Sequence, residues 1–171
     1  FFADIQTAVI YPPNFLMSFW DLKSVLGYYV LEVQTILHFF AGAWFMFAYL
    51  RFSGIAVLGS LFGGTLFAFG GYWFNHAHHS NYVASGIWLP AVFYCCLKSF
   101  SENFLWILGC PIIMAISLLA GHPQLALFIF YSFTAYYIFL AWRKKCELKK
   151  ACGNYLMVTV LLGMLAMIQL L

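Results

Sequence analysis

The chain has 171 residues, of which 65% are apolar, 22% aromatic and 8% charged, with eight basic side chains against five acidic ones. Globular domains are about a quarter charged, so thirteen charges could not cover a soluble surface of this size, whereas a bilayer solvates leucine and phenylalanine directly. A soluble domain is excluded; the net charge of +3 carries no nucleic-acid signal, and the class predicted is an all-α, polytopic transmembrane helix bundle.

In chain order, residues 1–23 mix apolar and polar side chains and are predicted to form an extracytoplasmic loop segment, with a helical bundle over 24–171. Apolar runs near the ~20 residues of a membrane crossing give about six spans. They run from Ser24 to Leu50, Ile55 to Phe74, Tyr82 to Leu97, Phe104 to Ala120, Gln124 to Trp142 and Asn154 to Leu171. The runs are continuous, not alternating, which favours helices over a barrel. Phe52 to Leu97 contains no Asp, Glu, Lys or Arg, too long for one crossing, so it splits at the histidine-rich turn His76-Ala77-His78-His79. Pro90 in the third span and Pro111 in the fourth predict tilted, kinked or partly re-entrant helices there. In the second span, Gly59 and Gly63, overlapped by Ser60 and Gly64, place small residues where another helix can approach closely.

Six crossings leave Arg51, Lys98, Arg143, Lys144, Lys145, Lys149 and Lys150 on one side and Lys23 alone on the other. The positive-inside rule makes the first side cytoplasmic. The expectation is a multi-pass protein of the bacterial inner membrane, with His76–Asn81 and Gly121–Gln124 outside. The chain starts without Met and stops inside an apolar run, so it is expected to be a piece of a longer protein. Cys95, Cys96 and Cys110 lie within spans, and Cys146 and Cys152 lie in the basic loop, a distribution that predicts neither a disulfide framework nor a zinc site.

Three polar features need a physical reason. Glu32 and His38 in the first span are costly in hydrocarbon, about 2.5 to 3.5 kcal/mol for a charged group on insertion scales. Gln34 and His38 share a face, with Glu32 a third of a turn away. That broad polar side serves either ligand or proton handling or an interhelical hydrogen-bond pair. The cluster Asn75-His76-Ala77-His78-His79-Ser80-Asn81 fits an outer-surface turn contacting an anionic or sugar substrate, a metal-binding turn, or a solvated loop. Gly121-His122-Pro123-Gln124 reads as a turn between helices, equipped with His and Gln for hydrogen bonding.

The blocks Phe2-Ala3-Asp4-Ile5-Gln6-Thr7-Ala8, Tyr11-Pro12-Pro13-Asn14, His38, Ala41-Gly42, Tyr49-Leu50-Arg51, Ala68-Phe69-Gly70-Gly71-Tyr72, Trp88-Leu89-Pro90 and Ala120-Gly121-His122-Pro123-Gln124 occur in this order. In this the chain resembles the YfhO-type bacterial integral membrane proteins, similar in architecture to the GT-C glycosyltransferases. The resemblance covers Phe2 to about Gln124. It implies an enzyme that moves a sugar from a polyprenyl-phosphate carrier to an acceptor outside the cytoplasm, a carboxylate acting as general base or positioning a divalent cation. Asp4 is then the candidate catalytic acid, and His79, His122, Gln124, Glu32 and His38 are candidate substrate contacts. Two other classes remain open. The aromatic content and histidines also suit a non-catalytic subunit of a larger membrane complex, with haem or chlorophyll as the pigment. The kinked spans and Glu32 would suit a transporter.

Overall fold

In a computed structural model, residues 8, 10–18 and 28–167 are described. The described chain is 84% helix and has no strand. Helix α1 (Pro12–Ser18) is followed by α2 (Tyr28–Phe52), α3 (Val57–Phe69) and α4 (Gly71–Asn75), then α5 (Ser80–Gly86) and α6 (Leu89–Ser101). A 3₁₀ helix, Phe104–Leu108, leads into α7 (Gly109–Leu119), and α8 (Pro123–Arg143) and α9 (Leu148–Ala166) complete the order.

Among the described residues, four helical stretches are long and apolar enough to cross a membrane: Tyr29–Phe52, Val57–Asn75, Ser80–Ser101 and Pro123–Arg143. They coincide with four of the six predicted spans. The stretch Phe104–Leu119 is apolar but shorter. Helix α9 begins ahead of the expected Asn154, so its first turn carries Lys149 and Lys150 and leaves a shorter apolar remainder.

The breaks inside the spans have local causes. Val57–Asn75 is interrupted at Gly70, whose extended ψ of 149° ends α3 and restarts the chain as α4. Ser80–Ser101 is interrupted at Ile87 and Trp88, just before Pro90 in the first turn of α6. Pro111 lies in the first turn of α7 and Pro123 opens α8. A proline there removes no helical hydrogen bond, because the first-turn N–H groups have no intrahelical acceptor. Both expected kinks are thus helix starts.

Burial distinguishes the central span from the lipid-facing ones. Over half (56%) of the Ser80–Ser101 window is buried, against 17% for Tyr29–Phe52, so α5 and α6 form the axis and α2 and α3 pack outside them. The main core joins α6, α7, α8 and α9 through Val92, Cys96, Met114, Phe133 and Val158. Helices α2 and α3 meet along the buried row Ser60, Gly64 and Ala68. A β-carbon at Gly64 would lie 2.7 Å from the Ala43 carbonyl oxygen, which is why a small residue is required there. The close row is therefore the one through Ser60 and Gly64. Gly59 is exposed, one position away.

The chain alternates direction, and its two ends differ chemically. Phe52, Lys98, Arg143 and Lys144 gather at one end. His78, His79, Tyr82 and His122 gather at the other.

Candidate functional site

Two loops far apart in sequence meet at the histidine end. His76 bonds the Tyr72 carbonyl through Nδ1 at 2.8 Å, and its ring stacks on Tyr82 with centroids 4.9 Å apart and planes 15° apart. Tyr82 also touches His122, ring centroids 4.0 Å apart. This one tyrosine, in the first turn of α5, therefore ties the His76–Asn81 turn to the Gly121–His122 turn. Gly121 has φ +91°, a left-handed conformation that suits glycine and turns the chain sharply into α8. His122 then caps α8: its Nδ1 accepts from the Leu125 N–H at 3.4 Å. With Nδ1 an acceptor, the neutral ring carries its proton on Nε2. Burial holds the His122 pKa below the ordinary histidine value, which favours that neutral form.

Between these loops lies a cavity of about 330 Å³, lined by His78, His79, Ser80, Asn81, Gly121 and His122. Its walls are imidazole, hydroxyl and amide groups that can donate or accept hydrogen bonds. His78 and Ser80 also line a second, larger groove of about 490 Å³. That groove is apolar along Ile36, Phe39, Phe69 and Phe74 and carries Glu32 and Thr35 on its wall. A polar chamber and an apolar channel thus share two side chains.

Beside this chamber a polar clasp holds the N-terminal segment to the bundle. Tyr11 is fully buried, packed with Ala8, Ala84 and Ala120. Its hydroxyl lies 2.5 Å from His38 Nε2, and Trp88 Nε1 donates to it at 3.2 Å. His38 Nδ1 lies 2.6 Å from the Gln34 carbonyl oxygen. A carbonyl can only accept, so Nδ1 carries the proton, Nε2 accepts from Tyr11, and Trp88 donates to the tyrosine oxygen. All four groups are satisfied with a neutral imidazole. Burial pushes the Tyr11 phenol above its ordinary value, keeping it a donor. Gln34 donates to Asn14 Oδ1 at 2.5 Å, and Asn14 donates in turn to the Ala8 carbonyl at 2.9 Å.

The predicted polar side of α2 is therefore divided. Gln34 and His38 are buried and bonded to residues 11 and 14, while Glu32 is exposed on the apolar groove. Of the other candidates, His79 and His122 come together in the chamber. Gln124 stands exposed on the first turn of α8, outside the chamber lining. Asp4 lies outside the described residues. Among the described residues, no three His, Cys, Asp or Glu side chains are grouped to hold a metal ion. Sequence reasoning passed over Tyr82 and treated Tyr11, Asn14 and Trp88 only as motif positions. No signal in the sequence sets Tyr82 apart from the chain's other aromatic residues.

No family model, curated protein or solved structure matches the chain.

Proposed function

We propose that the chain is part of a YfhO-type, GT-C-like membrane protein that holds a polyprenyl-phosphate-linked sugar at its histidine end, outside the cytoplasm of a bacterial inner membrane. The observation carrying this reading is the junction at His78 and Ser80, where the polar chamber opens against the apolar groove. A lipid-linked sugar has that same division: a hydrocarbon chain to lie along Phe39, Phe69 and Phe74, and a hydroxyl-rich head to take hydrogen bonds from imidazole and amide groups.

The roles divide by chemistry. The Nε2–H of His122 and the ring of His79 hold sugar hydroxyls or a phosphate oxygen. Glu32 is the carboxylate at this end among the described residues, placed on the groove wall to accept a proton or bind a divalent cation. Asp4 is the second candidate acid. Against the pigment reading, both ring nitrogens of His38 are already engaged, by Tyr11 and by the Gln34 carbonyl. A haem or chlorophyll would have to displace one of them.

The test is equilibrium binding of a short-chain polyprenyl-phosphate sugar to the purified protein in nanodiscs. His78→Ala/His79→Ala should weaken binding roughly tenfold, the worth of one hydrogen bond to a charged group. The thermal midpoint should not move, because both rings are exposed. Equal affinity in variant and parent removes the chamber as the headgroup site.

A further inference from the structure

The basic end carries a separate cavity of about 480 Å³, within the range of small-ligand sites. It lies between α2, α6 and α8 and is lined by Tyr49, Ser53, Ser101, Tyr136, Arg143 and Lys144, among others. The two cations are held where they are by the end of α8. Lys144 N–H bonds the Leu140 carbonyl at 2.9 Å, Lys145 N–H bonds Trp142 at 3.1 Å, and Cys146 N–H closes on Ala141 at 2.9 Å across a left-handed Lys145.

Two other cations at this end, Lys98 and Arg51, are already committed. Lys98 pairs with Glu102 at 3.0 Å and sits 4.3 Å over the Trp106 ring, and Arg51 donates to the Ile55 carbonyl at 2.6 Å. Arg143 and Lys144 are exposed and have no ion pair or hydrogen bond from their side chains among the described residues. Tyr49 donates its hydroxyl proton to the Tyr136 oxygen at 3.1 Å, which leaves the Tyr136 O–H to donate elsewhere. Two uncommitted cations and an available hydroxyl around one cavity form a site for an oxyanion with several acceptor oxygens. Trp142, 78% exposed, stands next to Arg143, as expected of an aromatic anchor at the headgroup level of a bilayer.

We propose that this cavity binds the phosphate of an anionic phospholipid, with Arg143 and Lys144 as its charge partners and Tyr136 as a hydrogen-bond donor. Phe52 and Phe139 on the same wall lie against the first carbons of the acyl chains. The bound lipid would join α2, α6 and α8, whose contact at this end is otherwise aromatic. This site does not depend on the reading of the histidine end.

The test uses the purified protein in phosphatidylcholine nanodiscs containing a small fraction of phosphatidylglycerol, with retained lipid counted by native mass spectrometry. The parent protein should retain phosphatidylglycerol. Arg143→Gln/Lys144→Gln should lower its affinity about thirtyfold, whereas Lys149→Gln/Lys150→Gln, which removes the same charge outside the cavity, should lower it less than about threefold. Equal losses in the two variants would mean diffuse surface attraction and would overturn the site. Release of the lipid by millimolar inorganic phosphate would assign the cavity to soluble phosphate and overturn the lipid assignment.

Discussion

Tyr11 decides how the N-terminal segment is held, because one hydroxyl serves both His38 and Trp88. Tyr11→Phe keeps the ring and its contacts while leaving an indole N–H and an imidazole nitrogen without their partner. Unpaired buried groups cost about 1–3 kcal/mol, so thermal unfolding in detergent should begin earlier in this variant; an unmoved midpoint would mean the clasp contributes nothing. His122 makes a different prediction. Its pKa is lowered in the folded chain, so between the folded and unfolded values the unfolded chain binds more protons. The stability it contributes is complete above the unfolded value near 6.5 and is lost as pH falls below it. His122→Asn, which can still cap α8 but does not titrate, should flatten that decline between about pH 7 and pH 5. The two histidine loops were legible in the sequence because polar residues stand out between apolar runs. Tyr82, which joins them, was not: among 11 tyrosines and 20 phenylalanines nothing marks one ring as a bridge.

Among the helices, α2 and α3 show what a small residue does in a membrane. Lipid tails are as apolar as leucine, so helices gain little by excluding them, and close backbone approach supplies the contact energy instead. Gly64→Ala would push a β-carbon against the Ala43 carbonyl and should cost about 1–3 kcal/mol through overpacking. Gly163→Ala in α9 meets nothing within 4 Å and should be neutral or stabilising by up to about 1 kcal/mol, as alanine is the better helix former. Thermal midpoints of the two variants check the pair; equal shifts would mean that the Ser60–Gly64–Ala68 row is not a close contact. The limits of the four long spans were readable because charges and turn residues bracket them; the start of α9 was not, since its first turn carries Lys149 and Lys150. The break at Gly70 was not readable either, since hydropathy runs through it without change, whereas Pro90 marked the one at Ile87–Trp88. Helical arithmetic likewise put Glu32, Gln34 and His38 on one broad polar side and could not say which part of that arc would turn inward. That depended on Tyr11 and Asn14, which arrive from another element.

The molecule as a whole is polar in the vectorial sense: imidazoles, a hydrogen-bonding chamber and Glu32 at one end, and uncommitted cations around a second cavity at the other. The proposed glycolipid chemistry requires the histidine end to face away from the cytoplasm, where nucleotide sugars are absent. Native cysteines make that orientation directly measurable. Cys152 is exposed and Cys146 partly so at the basic end, whereas Cys95, Cys96 and Cys110 are buried. Intact bacterial cells expressing the Ala77→Cys variant, with Cys146 and Cys152 replaced by serine, should react with a membrane-impermeant maleimide. The parent protein should react only after the cells are opened. Labelling of the parent in intact cells, together with protection of the variant until lysis, would put the chamber inside and contradict the account.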